Sequence, residues 1–255
     1  MDVTRGLGSF EEPAEVAALR RRSAEVLECL DSVAAERPGA VQPLVGLAAL
    51  VLQLKRIAPA ATSTSWVLQP HYAYDPEDPG VALTRSARER GVDTELITLP
   101  ATTHTHPLLS SIFPSTMLGP VFLRALVVDS RQAIVGGADD AYGRRVAWYT
   151  TVPEVIDSVI DVWRATLPHC HPILEPGEDP PLTERQLDVA RHVCVGLRDR
   201  AIAHALGLSL RTVEREVHRV LEVLGAGSRT EAVLLMRGRG VNGGWRSAPH
   251  EQLTR

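Results

Sequence analysis

Apolar positions change rhythm several times along the chain. Up to residue 33 they recur at spacings near three, four and seven, with Val16, Leu19, Val26, Leu30 and Val33 on one side of an otherwise charged rod. Ser9 and Glu12 have the spacing of a capping box and predict a helix opening there. With about three heptads available, the stripe reads as a core-facing surface rather than a dimer seam. A second, more apolar helix is predicted over residues 42–57.

From Thr64 the pattern becomes short and β-rich. TSWVLQPHY, TELITLP, FLRALVVD, QAIVGG and RVAWYT predict strands, and GVALTRSARER near 80–90 predicts a helix between the first two. VPEVIDSVIDVWRATL, apolar at Val155, Ile156, Val159, Ile160, Val162 and Trp163, predicts a helix lying on a sheet. Together these elements make residues 1–167 an α/β domain.

PHCHPILEPGEDPP, with prolines at 168, 172, 176, 180 and 181, interrupts both rhythms and reads as an interdomain linker over 168–181. Beyond it the period is helical again. Thr183 and Gln186 form a capping box before a helix carrying Leu187, Ala190, Cys194 and Leu197 inward. A short helix, RAIAHALG, ends at Gly207. Ser209 then caps LRTVEREVHRVLEVLG, whose inner stripe is Val213, Val217, Val220, Leu221 and Leu224, and Ser228 caps a fourth helix. These four helices span 182–241, and residues 242–255 read as a flexible tail.

Composition changes this picture in two ways. The chain of 255 residues is 44% hydrophobic, enough for real cores, and its formal charge of −4 argues against a polycation that coats nucleic acid. The average conceals an asymmetry: residues 1–181 carry 15 basic and 23 acidic side chains, residues 182–255 carry 12 and 8. Three distant cysteines, Cys29, Cys170 and Cys194, build neither a disulfide framework nor a paired CxxC site. The longest apolar stretch, 45–54, is too short for a bilayer, and the N-terminus lacks the regions of a signal peptide. A cytoplasmic protein with no membrane contact is expected.

A short helix, a Gly turn and a Ser-capped helix are what a helix-turn-helix requires, the second helix entering the major groove. With Val213 and Val217 inward, Arg211, Thr212, Arg215, Glu216 and Arg219 face outward. LTERQ, IAHALGLSLRTV, VLGAGSRTEA and the closing R-G resemble the LuxR-type helix-turn-helix over its whole length. The resemblance implies an all-α four-helix DNA-binding domain, usually dimeric, often with its fourth helix at the subunit interface. It carries contact with double-stranded DNA onto Ser209, Arg211, Thr212, Arg215 and Arg219, with Arg229 as a phosphate contact. Glu214 and Glu216 depart from the usual pattern. Glu214 reads as an exposed partner of His218 or Arg211, and Glu216 either as similar or as an acceptor from cytosine N4.

For the first domain three common inputs are disfavoured. The only lysine, Lys55, precedes the first expected strand, which does not suit a phosphoreceiver; GxxxxGK[ST] is absent; and few aromatics are present for an acyl-homoserine-lactone pocket. FLRALVVDSRQAIVGGAD is instead similar to the phospholipase D superfamily signature, H-x-K-x4-D-x6-G-S-x-N. Asp129, Gly136, Gly137 and Asp139 then occupy the Asp, Gly, Ser and Asn positions, but Phe122 replaces the nucleophilic His and Arg124 the Lys. That resemblance implies a phospholipase D-like sheet with flanking helices and without catalysis, as in TrmB-like regulators, serving as dimeriser or sensor. A phosphodiesterase with a DNA-binding tail is the enzyme alternative, and it lacks a nucleophile at Phe122.

His104 and His106, and His169, Cys170 and His171, contain metal-ligating types, but adjacent residues rarely converge on one ion and both groups read as exposed loops. A metal-responsive regulator is the lesser alternative. HYAYDPEDPG (71–80) reads as a strand-to-helix turn more readily than as a pocket wall. The expectation is a cytoplasmic, homodimeric, sequence-specific transcriptional regulator with no catalytic residue, no cofactor and no metal. RNA polymerase and a small-molecule or protein effector are candidate partners.

Overall fold

The computed structural model describes residues 13–137 and 144–238. Ser9, Glu12, Asp139 and the expected tail lie outside them. Within the described residues α1 (Ala14–Glu36) begins after Pro13 and buries Leu19, Val26, Leu30 and Val33. The stripe faces the core, as its spacing predicts.

An eight-stranded mixed sheet organises the α/β region. Its strands are β1 (Val41–Val45), β2 (Thr64–Gln69), β3 (Asp93–Thr98), β4 (Met117–Leu118), β5 (Arg124–Val128), β6 (Gln132–Gly136), β7 (Val146–Thr150) and β8 (His171–Pro172), in the order β1-β7-β6-β5-β2-β3-β4-β8. β2, β3 and β4 run parallel, and the remaining neighbours are antiparallel. On one face α1 and α6 (Pro153–Thr166) cover Leu68, Ile97, Val127 and Val135, and Trp163 stacks on Trp66 with ring centroids 5.6 Å apart. On the other, α2 (Leu47–Ile57) and α3 (Pro79–Glu89) cover Leu44, Val128, Ile134 and Ala147. Such two-faced burial needs side chains alternating at period two, which all five expected strands supply.

Two expectations are corrected. The helix predicted over 42–57 is a strand followed by a helix. Gly46 sits at φ 82, which breaks the run, and Val41 and Leu44 are buried while β1 pairs along β7. Pro43 is accommodated because β1 is an edge strand. Nor is 168–181 wholly a spacer: residues 167–169 form a 3-10 turn, β8 pairs with β4, and Ile173 N donates to Thr116 O at 2.9 Å. Pro172 again lies on an edge, where its missing N–H is harmless.

The C-terminal region is helical: α7 (Glu184–Cys194), α8 (Asp199–Leu206), α9 (Leu210–Leu224) and α10 (Arg229–Met236). Two short helices of the α/β region, α4 (Thr102–Thr105) and α5 (Leu109–Ile112), lie towards it. Tyr74 and Leu108 enter the core that α7–α10 form around Leu187, Val193, Ile202, Val213 and Met236. Leu182 N donates to Ser111 Oγ at 3.1 Å and Arg191 Nε to Pro76 O at 2.8 Å. The helical region is thus joined to the sheet region by a common apolar core, not only by a chain segment.

Candidate nucleic-acid interface

Local signals fix each helix end. Thr183 and Gln186 form the reciprocal capping box of α7. α8 stops at Gly207 and α9 at Gly225, both in the left-handed conformation at φ 65 and 63, which L side chains adopt only at a cost. Ser209 Oγ accepts from Thr212 N at 3.1 Å and shares a 2.8 Å hydrogen bond with the Thr212 hydroxyl. The turn and the start of α9 are therefore rigid.

α9 packs on α7, α8 and α10 through Val213, Val217 and Val220. Arg211, Arg215 and Arg219 point away from that core and are exposed, Thr212 is half-buried, and the first two turns thereby carry their cations on one open side. Arg219 ties back to Glu222 at 3.6 Å and to Pro181 O at 3.5 Å.

Glu216 corrects the sequence reading. It is only 2% exposed, so it cannot meet a base edge in the groove. Its carboxylate accepts from Gln186 Nε2 at 2.9 Å and from Arg215 Nη2 at 2.9 Å, with Arg185 at 3.3 Å. Burial alone would raise its pKa, but the hydrogen bonds from Arg215 and Gln186 and the charge of Arg185 outweigh that and hold the carboxyl below its usual range. Because Gln186 also accepts from Thr183 N, Glu216 clamps α9 to the start of α7 and orients Arg215. Its position three after Val213 and four before Val220 already puts it on the buried stripe, and that spacing was the available signal. His218 pairs with Glu222 rather than with Glu214. Arg229, expected at a phosphate, donates to Asp199 Oδ1 at 2.5 Å and to the carbonyl of Leu197, bracing α8 against α10.

Among the described residues of the α/β region, Phe122, Arg124 and Asp129 do not converge on one site. Asp129 closes the β5–β6 turn at φ 52, and its carboxylate accepts from the amides of Thr62, Ser63 and Thr64 and from the Thr62 and Ser63 hydroxyls at 2.8 to 3.0 Å. Partial burial opposes ionisation, but the Thr64, Ser63 and Thr62 amides outweigh it and hold this carboxyl far below the ordinary range. Asp129 is a turn staple. Arg124, at the other end of β5, lines a cavity of about 250 Å³ between the sheet and α2 and α3. Phe122 lies outside that cavity's lining, under the Arg20 guanidinium at 4.2 Å.

Contrary to expectation, His106 is not exposed. It is 1% accessible and surrounded by Tyr72, Tyr74 and Phe113 at centroid distances of 5.0, 5.3 and 6.5 Å. Burial lowers its pKa to about 4, so the ring is neutral near pH 7. Among the described residues no group of three or more His, Cys, Asp and Glu is arranged to hold a metal ion. Residues 71–80, read as a turn, also supply Tyr72, Asp78 and Gly80 to the cavity wall.

Comparison with known proteins now bears on this geometry. Residues 180–236 match the family model GerE, described as bacterial regulatory proteins of the luxR family. The transcriptional regulatory protein YdfI of Bacillus subtilis (strain 168) is 42% identical over 60 residues, 24% of this chain and 28% of that protein. The chain therefore spans little more than a quarter of the length of the curated relatives it matches. NucT from Helicobacter pylori aligns with TM-score 0.43 and 12% identity over 52% of this chain and 98% of its own. The phospholipase D family member Nuc from Salmonella typhimurium aligns with TM-score 0.41 and 16% identity over 52% and 96%. Residues 180–236 of the chain are a helix-turn-helix domain of the luxR type.

Proposed function

We propose that the protein is a sequence-specific, DNA-binding regulator of transcription that acts as a homodimer, with Arg211, Thr212, Arg215 and Arg219 meeting DNA from the open side of α9. The observation that carries this reading is the placement of exposed Arg211 and Arg215 on the first two turns of a helix whose other side is locked by Val213, Glu216, Val217 and Val220. Guanidinium groups suit both phosphates and guanine edges. Glu216 takes part only by holding Arg215. Arg229 acts in the scaffold, with one Nη held by Asp199 and the other by the Leu197 carbonyl.

The α/β region serves as sensor and dimerisation unit rather than enzyme. A phosphodiesterase would need a nucleophile where Phe122 stacks with Arg20. Exposed Val45, Leu47 and Leu52 beside the edge strand β1 support self-association. No helix among the described residues is long and apolar enough to cross a membrane. A dimer with two recognition helices should protect half-sites about 10 bp apart or a multiple of it. Footprinting of duplexes selected by the full chain, together with light scattering, tests this; a stable monomer protecting one half-site contradicts it.

A further inference from the structure

The two faces of the sheet are filled unequally. Towards α1 and α6, Leu68, Ile97, Val127 and Val135 are 0–3% exposed. Towards α2 and α3, Val67 and Leu126 pair in register on the two central strands, β2 and β5, yet are only half-buried. Leu50 and Leu54 of α2 and Leu83 of α3 are half-buried too. All five line the cavity of about 250 Å³ between sheet and helices. Protein interiors are close-packed, so an open apolar space over the middle of a sheet is core surface without its partner.

The polar groups around the cavity answer to one another. Asp78 accepts from the Tyr72 hydroxyl through Oδ2 at 2.5 Å and from Gly80 N through Oδ1 at 2.7 Å. Arg88 donates to Thr94 Oγ1 at 2.7 Å and to Ile112 O at 3.2 Å, and Gln69 Nε2 donates to His71 O at 2.8 Å. Arg124 is engaged within the protein, and Arg145 is exposed to solvent. An ion entering this chamber gives up its hydration and finds no charged partner set aside for it, whereas a neutral apolar body covers leucine surface without that cost. A dry cavity of ~150 Å³ holds benzene, so in proportion this one takes about ten heavy atoms.

One short segment joins this chamber to the helix-turn-helix. Tyr72 and Asp78 belong to the cavity wall, while between them Tyr74 is buried in the α7–α10 core and Pro76 O accepts from Arg191 Nε of α7 at 2.8 Å. Thr105 holds the segment from behind, its hydroxyl donating to Tyr72 O at 2.7 Å and its carbonyl accepting from Tyr74 N at 3.1 Å. The ends of the segment therefore face the cavity and its middle faces α7.

We propose that the cavity between the sheet and α2 and α3 binds a neutral apolar molecule of one- or two-ring size, and that its occupancy steadies α7 through residues 72–78. The proposal rests on the regulatory reading above and supplies its ligand class and its route. The occupant takes the place of the missing core packing over Val67 and Leu126. It also lies against Tyr72 and Asp78, and a ligand can bias the docking of α7 only through contacts of this kind, made with the docked segment itself.

2-Naphthol, 2-naphthoate and 2-naphthylmethylammonium carry different charges on one ring system. Titrated calorimetrically into the full chain at pH 7, 2-naphthol should bind, and the two ions should bind at least about tenfold more weakly. Leu83→Trp from the helix side and Val67→Phe from the sheet side fill the same space with protein atoms; each should melt no lower than the wild type and should lose 2-naphthol binding. In the wild type 2-naphthol should slow hydrogen exchange at the α7 amides about fivefold or more, within the range usual for coupled sites. Tyr74→Ala should keep the binding and lose that response. The proposal is overturned by no binding of 2-naphthol, by ions that bind as tightly, by binding unaltered in both filled variants, by a lowered melting temperature in both, or by binding without a response in wild-type α7. None of these readouts uses DNA, so a failure here is separate from a failure of the DNA-binding reading.

Discussion

The sheet region and the helix-turn-helix reach order by different routes. In α7–α10 almost every boundary is set by residues within four positions: the Thr183 capping box, Ser209 and Ser228 as caps, Gly207 and Gly225 as stops. In the sheet region the decisive pairings are remote, as in Val41 opposite Thr150 and Ser65 opposite Val128. Local order makes a module that is recognisable in sequence, and remote order makes a scaffold whose chambers are not. The two nevertheless share a core at Tyr74 and Leu108, so they should not behave as independent bodies.

The largest expected effect tests that coupling. Ile202 is fully buried in the helical core, and Ile202→Ala should cost about 2–5 kcal/mol. Three of the four tryptophans, Trp66, Trp148 and Trp163, lie in the sheet region. Denaturant unfolding followed by tryptophan fluorescence should therefore shift with the variant; a shift seen only in helical circular dichroism would show two independent units. Next is Asp129→Ala, which strands three amides and two hydroxyls and should cost about 2–3 kcal/mol in the same fluorescence transition, without altering the affinity of the helix-turn-helix for DNA.

A pH effect of about 2 kcal/mol is expected at the junction. His106 has a folded pKa near 4, below its unfolded value of about 6.5, so the unfolded chain binds the proton first. Stability is complete above about pH 6.5 and declines as pH falls towards 4. Thermal melts between pH 7 and 5 should show this decline, and His106→Phe should flatten it. Glu216 acts lower on the scale. Its carboxyl is held below the unfolded value, so its contribution is present above about pH 4.3 and is lost as pH falls through the folded value. Glu216→Gln should cost about 1 kcal/mol at pH 7, because Arg185 and Arg215 remain largely solvated, and should abolish that acid loss.

How much was legible follows from the same contrast. The five long strands showed as short β-rich runs, α3 as a helical stretch and α6 by its apolar positions, and the four C-terminal helices showed period, caps and stops. β1 was hidden because 43–52 runs apolar without a break, and only pairing with β7 decides for a strand before Gly46. β4 and β8 are two residues each, too short to carry a period. Turning α9 by its valines placed Arg211 and Arg215 outward, but Glu216 was read by its charge instead of its place on the stripe. The burial of His106 and the cavity at Arg124 depend on remote segments meeting, which spacing along the chain does not encode.

The central claim, that α9 reads DNA through its exposed arginines, is tested most directly by fluorescence anisotropy of the full chain on a duplex selected for binding to it. Arg211→Ala and Arg215→Ala should each weaken binding by about 1–3 kcal/mol if the side chain reads a base edge, while Arg164→Ala on α6, exposed and paired only weakly with Asp161 at 4.0 Å, should leave it unchanged. Equal affinity for the wild type and all three variants would contradict the account.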